Sequence, residues 1–195
     1  MAEELRFDAE RHEYWLGQHK VPGVTRVLEL LEDWQGVPAH VLAAARQRGQ
    51  LVHEACALLV RERLDWQSLD PELVPYLIGA KNFLEQSGVI VIASEVRVAH
   101  RVNRYAGTLD LLCEMNQQLG LYDFKSGTVP RTVGPQTAAY VEAYEDARCT
   151  RVRRRYCVQL NPDLPQGYRL HALTNTTDWN IFLSALNCWR FKNAA

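Results

Sequence analysis

A mixed α+β fold, with a central mixed β-sheet flanked by helices, is the class this sequence predicts, and three observations predict it. Apolar residues recur at steps of three and four within 38–64, 71–88 and 135–148, the spacing of an amphipathic helix. Between residues 89 and 125 the period falls to two and β-branched residues accumulate, as in strands. The order that results is helices, three strands, helix, two strands, helix, which fits helices packed on one sheet.

The opening residues read as a small hairpin, with strand-like pieces at Leu5 to Phe7 and Glu13 to Leu16 and a turn over Gly17 to Lys20. Pro22-Gly23 breaks the chain, and Thr25 is placed to cap a short helix through Leu31. A longer helix is predicted from Pro38 to Leu64, with Leu42, Ala45, Gly49, Val52, Cys56 and Leu59 as its apolar stripe. Another follows Asp70-Pro71, carries Leu73, Leu77, Ala80 and Leu84, and stops at Gly88. Strands are predicted at Val89 to Val98, Gly107 to Met115 and Leu119 to Lys125, then a helix from Pro135 to Arg148. Two further strands, Val152 to Leu160 and Tyr168 to Leu173, precede a last helix capped by Thr177 or Asp178 and carrying Trp179, Phe182, Leu186 and Trp189.

A chain of 195 residues is the size of one domain. The expected layout is a hairpin and lead-in helix over 1–35, a core over 36–175 and a C-terminal helix over 176–195. The formal net charge of −1 excludes a histone-like binder held to nucleic acid by bulk charge, but allows a local basic groove. No apolar run approaches the ~18 residues of a membrane span, and the acidic start MAEELRFDAE does not read as a signal peptide. Five cysteines, an odd number without a CxxC pair, argue against a disulfide framework or a cysteine-rich zinc site. A reducing cytoplasm is the expected compartment.

The chemistry concentrates in residues 107–127, GTLDLLCEMNQQLGLYDFKSG. On regular strands Asp123 and Lys125 share a face, about 6.6 Å apart along the chain, and Thr108, Asp110 and Leu112 share a face of the preceding strand. A two-residue loop at Asn116-Gln117 sets Asp110 opposite Asp123. Gly120 leaves a bulge or a longer loop open as the alternative. Two opposed carboxylates destabilise a sheet unless a shared proton or a cation neutralises them. Hard oxygen ligands on a hairpin suit Mg²⁺ or Mn²⁺, and Lys125 adds a positive charge for an anionic transition state.

Several ordered pieces resemble the PD-(D/E)XK nuclease superfamily, in its RecB-type and phage exonuclease branch. Arg48-Gly49-Gln50-Leu51-Val52-His53 is similar to the helical "RG..vH" element, and Glu95 to the acidic residue of the first core strand. Gly107-Thr108-Leu109-Asp110 resembles the "GxxD" strand, Asp123-Phe124-Lys125 the "DxK" strand, and Gln136 to Tyr140 the "QxxxY" element. Val21-Pro22-Gly23-Val24-Thr25 is similar to a "vPSVT" segment of phage members.

The resemblance implies a restriction-endonuclease-like core and metal-dependent hydrolysis of DNA. His53, Asp110, Asp123 and the backbone carbonyl of Phe124 would ligate Mg²⁺ or Mn²⁺. Lys125 would attend the attacking water and the scissile phosphate, and Glu95 would stand at the edge of the site. Gln136 would bond near the substrate strand, Tyr140 would brace the helix, and Arg48 would belong to the nucleic-acid contacts. Gly49 would leave room for the imidazole or the strand. Iron–sulfur relatives carry clustered cysteines, whereas Cys149, Cys157 and Cys188 are dispersed, so no such cluster is expected.

The function implied is an exonuclease of phage or prophage recombination type in a bacterial or phage-infected cell. It would act on DNA with a free end, beside a recombination or annealing partner and without a membrane. The alternatives are a structure-specific endonuclease or nickase on the same fold, and a catalytically silent DNA-binding subunit. Arg151, Arg153 and Arg155 share one face of a regular strand, where they could guide DNA or protect a solvated edge. Glu95 could equally pair with Arg97 on a solvated strand. Tryptophans 15, 34 and 66 could stack on bases, while Trp179 and Trp189 suit helix packing.

Overall fold

Two hydrophobic layers, one on each face of a five-stranded sheet, organise the computed structural model, which describes residues 3–194. Met1, Ala2 and Ala195 of the expected 1–195 layout lie outside the described residues. The sheet has the order β4(Ile90–His100), β5(Tyr105–Met115), β6(Gln118–Ser126), β7(Arg154–Leu160), β8(Tyr168–Ala172). All neighbours are antiparallel except β6 and β7, which are parallel. That crossover is made by α4(Val133–Arg148), because parallel strands cannot be joined by a tight turn.

On one face α1(Val24–Leu28), α4 and α5(Asp178–Asn193) bury Val27, Ala139, Tyr140, Phe182 and Leu186 against Val98, Leu109, Leu112 and Leu121. On the other, α2(Ala39–Val60) and α3(Val74–Gln86) bury Val52, Cys56, Leu77 and Phe83 against Leu111, Tyr122, Phe124 and Val158. None of the described helices is long and apolar enough to cross a membrane.

The opening segment is a three-stranded meander, β1(Leu5–Asp8), β2(Glu13–Leu16) and β3(His19–Val21), rather than a hairpin followed by a turn. Gly17, at φ +57°, turns the chain early enough for His19 to pair with Leu16. Thr25 does not cap α1: the N-cap is Gly23, without a side-chain bond. The long helix stops at Val60, short of Leu64, as the chain turns through a left-handed Glu62. Only the second half of its expected stripe is used, since Val52 and Cys56 are buried whereas Ala45 is exposed.

The β5–β6 hairpin turns at Asn116 and Gln117, with φ of 52° and 60°. Two left-handed central residues are the type I′ geometry that fits the strand twist. The pairing runs from Met115 with Gln118 to Leu111 with Tyr122 without a bulge at Gly120.

At Gly79 of α3 the helix packs backbone to backbone on Gly167 in the β7–β8 turn. An added Cβ would lie 2.7 Å from the Gly167 carbonyl carbon. Gly79→Ala is therefore expected to cost about 3 kcal/mol, the upper range of overpacking, which urea denaturation reads directly. A loss below about 0.5 kcal/mol would show that the turn yields.

Candidate active site

The predicted acids meet where the regular sheet gives way. The β5–β6 pairing ends at Leu111 and Tyr122, one residue short of Asp110 and Asp123. In place of a ladder bond, the Phe124 N–H donates to Asp110 Oδ2 at 2.8 Å. Alternation resets there, because Leu109 and Leu112 both enter the core on the α4 side while Leu111 enters the opposite one. Asp110 therefore does not share a face with Leu112 in regular alternation. Across from it in β4, between the pairs Ser94–Leu111 and Val96–Leu109, Glu95 adopts φ +53°. A left-handed glutamate inside a strand is a strained conformation of the sort found at functional sites.

From α2, His53 Nδ1 reaches Asp110 Oδ2 at 3.2 Å. Burial pulls the imidazole pKa down, but the Asp110 carboxylate outweighs it and holds His53 above its usual value. Burial pushes Asp110 up. The His53 ion pair and hydrogen bond, Lys125 and the Phe124 N–H together carry it below the carboxylate range. Asp123 is fully buried and raised, because burial exceeds the relief from its ion pair with Lys125. Burial opposes the Lys125 charge, yet Asp123 and Asp110 keep its pKa above the usual one. Burial and the nearby Asp110 push Glu95 up to about 6.

Gln136 and Tyr140 are buried and do not line a nucleic-acid surface. Gln136 Nε2 donates to Asp123 Oδ1 at 3.0 Å and to Tyr140 Oη at 3.3 Å. Gln136 thus holds an acid and Tyr140 holds Gln136, so the amide expected to bond near the substrate strand is turned inward, a correction that follows from α4 lying directly over β6. Tyr140 packs on Gly107, where a Cβ would fall 2.5 Å from Tyr140 Cε1. That contact gives the "GxxD" glycine a steric reason. Gly49 has no such reason, since a Cβ there would stand 3.8 Å from Ser126 Oγ, an ordinary contact. Arg48 lies one turn before Val52 on α2, half-buried, with its Nε enclosed and without a hydrogen bond.

The arginine row is not assembled at the site. β7 begins at Arg154, so Arg151 and Arg153 precede it, and Arg153 N pairs with Leu119 O, at the far end of β6 from Lys125. Arg155 is consumed inside the fold, donating to the carbonyls of Gly134 (2.7 Å) and Asn175 (2.9 Å) and pairing with Asp178 at 3.0 Å.

One residue the motifs did not mark stands beside Lys125. Gln159, its partner across the parallel β6–β7 pairing, donates Nε2 to Gly127 O at 2.7 Å and fixes the end of β6. Only the parallel register would have revealed it.

Among the described residues no three of His, Cys, Asp and Glu form a ready-made metal cluster. The donor types still fit a hard divalent cation. Two carboxylates and an imidazole stand near enough to feel one another's charge, and the Phe124 carbonyl beside them accepts from Lys125 Nζ at 3.3 Å.

The fold has a solved counterpart. A candidate exonuclease from Eubacterium rectale superimposes with a TM-score of 0.51 at 11% identity, over 89% of this chain and 76% of its own. The alkaline exonuclease LHK-Exo from Laribacter hongkongensis gives 0.39 at 15% identity, over 87% of this chain and 89% of its own. Its complex with dAMP gives 0.41 at 16%, over 88% and 87%. No protein-family model and no curated protein matches the sequence.

Proposed function

We propose that this chain is a metal-dependent DNA nuclease that works from strand ends. The observation that carries the reading is the convergence of Asp110, Asp123, Lys125 and His53 at the splayed end of the β5–β6 pairing. The likeness of the fold to a candidate exonuclease supports it.

His53, Asp110, Asp123 and the Phe124 carbonyl would hold Mg²⁺ or Mn²⁺. When bound, the cation supplies Lewis-acid stabilisation of the phosphate and a water of lowered pKa. Lys125 presents its ammonium to the scissile phosphate, where negative charge grows in the transition state. Gln136 keeps Asp123 oriented, so the acid does not have to reorganise when substrate arrives. Glu95, whose carboxyl is pushed up to about 6 by burial and Asp110, adds an acceptor at the β4 edge of the site. The near-neutral net charge gives the chain little general attraction for duplex DNA, which favours capture of an end. The sequence resemblance extends this reading to phage or prophage recombination, with an annealing protein as partner.

The pairing of Asp110 with His53 and of Asp123 with Lys125 favours one other reading, a DNA-binding subunit that keeps the fold without the reaction. End-labelled linear DNA, incubated with Mg²⁺, with Mn²⁺ and with EDTA, decides between them. Mono- and short oligonucleotides are expected with either metal and none with EDTA, while covalently closed circles survive. DNA bound but uncut in both metals gives the silent subunit, and circles cut as fast as linear molecules give the endonuclease.

A further inference from the structure

Beyond the acids, the face of the sheet that carries Asp123 and Lys125 continues across β7 and β8. Asp123 pairs with Cys157, which pairs with His171; Lys125 pairs with Gln159, which pairs with Arg169. Paired residues on neighbouring strands point to the same face. At about 4.8 Å per strand, Arg169 stands roughly 10 Å from Lys125 by backbone spacing. Gln159 links the two rows. Its Nε2 is committed to the Gly127 carbonyl, so its Oε1 must accept, and the His171 Nε2 at 2.9 Å must donate. This fixes the tautomer and leaves Nδ1 as the free nitrogen of the ring.

Arg169 is exposed and His171 half-buried. Arg169 depresses the His171 pKa further below the value set by burial, so the two groups sense one another as like charges. Among the described residues neither lies within ion-pair distance of a carboxylate. Arg169 and the tautomer-fixed His171 stand on the edge strand in the rows that carry Lys125 and Asp123, where an anionic strand leaving the site can reach both.

We propose that Arg169 and His171 bind the phosphodiester backbone of the DNA strand adjoining the scissile bond, with Gln159, which stands between Lys125 and Arg169, holding the imidazole in place. The inference rests on the nuclease reading above and assigns the side of the site along which the strand lies, over β7 and β8.

Binding of a fluorescent single-stranded oligonucleotide, measured by anisotropy across a salt series in EDTA, tests it without cleavage. Arg169→Ala is expected to weaken binding about fivefold or more. It should also reduce the slope of log K against log salt by about 0.7, the loss of one phosphate contact on a single strand. Arg169→Lys, which keeps the charge, should retain the slope, and the double variant with His171→Ala should lose more than Arg169→Ala alone. In Mg²⁺ Arg169→Ala and the double variant should raise KM and leave kcat within about twofold, because the contact is made equally in ground and transition states. Unchanged affinity and slope in Arg169→Ala, or weaker binding at the wild-type slope, would overturn the assignment while leaving the nuclease reading intact. A wild-type protein that cuts no DNA would instead sink the nuclease reading.

Discussion

Asp123→Asn is expected to lower cleavage of linear DNA on the order of 10³-fold, the scale of losing one group that acts in the transition state. The asparagine can still accept the Gln136 hydrogen bond, but its amide would then face the Lys125 ammonium, donor against donor. Removing one partner of a buried ion pair leaves the other uncompensated, so a stability loss of about 3 kcal/mol accompanies it. The two effects separate in the double variant Asp123→Asn/Lys125→Met. Stability should recover, because no charge is left unpaired. Activity should fall no further than in the worse single variant, because groups acting as one unit are not additive. Circular dichroism melts beside single-turnover cleavage provide both readings. Wild-type cleavage by a folded Asp123→Asn protein would remove this site from consideration.

Asp178→Ala carries the largest expected structural effect. Asp178 pairs with Arg155 at 3.0 Å with both side chains largely buried, 7% and 15% exposed. Arg155 in turn holds the Gly134 carbonyl at the start of α4 and the Asn175 carbonyl before α5. Gly134 itself is needed for the approach, since a Cβ there would sit 2.6 Å from the Asp178 carboxylate. Truncating the acid strands a guanidinium inside the fold, a cost of about 3–5 kcal/mol, or roughly 10 °C in Tm for a chain of this size. Because α4 carries Gln136, the melt should be accompanied by loss of activity. Arg155→Ala should behave the same way, with its DNA affinity changed only through folding. If Arg155→Ala melted within a degree of wild type but bound DNA more weakly, the arginine would be a DNA guide after all.

Local chemistry explains what could be read in advance. Asn116 and Gln117 tolerate the left-handed backbone of a tight hairpin, and that two-residue turn alone fixes which residues of β5 and β6 oppose one another. The helices followed their apolar spacing, and the positions of β4 to β6 followed the change of period. The candidate acids and Lys125 were legible because the pattern places acid, acid and lysine on consecutive strands, whereas His53 was marked only by the family resemblance of its helical segment. Their convergence in space is what the fold adds.

Where the reading departed from the structure, the cause was interaction at a distance. Alternation assumes a regular strand, but at Glu95 and Asp110 the side-chain faces reset, so that Asp110 takes the Phe124 N–H instead of lying flat in the ladder. Gln136 and Tyr140 have the spacing of a helix surface, and only the placement of α4 over β6 turned them inward onto Asp123 and Gly107.

By itself, the sequence determined the helix and strand periods and offered the hairpin register, with a bulge or longer loop at Gly120 as the open alternative. Turn chemistry and hydrophobic spacing act within a few residues and need no knowledge of the rest of the chain. The tertiary structure alone decided that β7 lies parallel to β6. That pairing joins residues more than thirty positions apart and is fixed by burying α4 on one face and α2 and α3 on the other. It set Gln159 beside Lys125, carried the row on to Arg169 and His171, and spent Arg155 on holding the layers together.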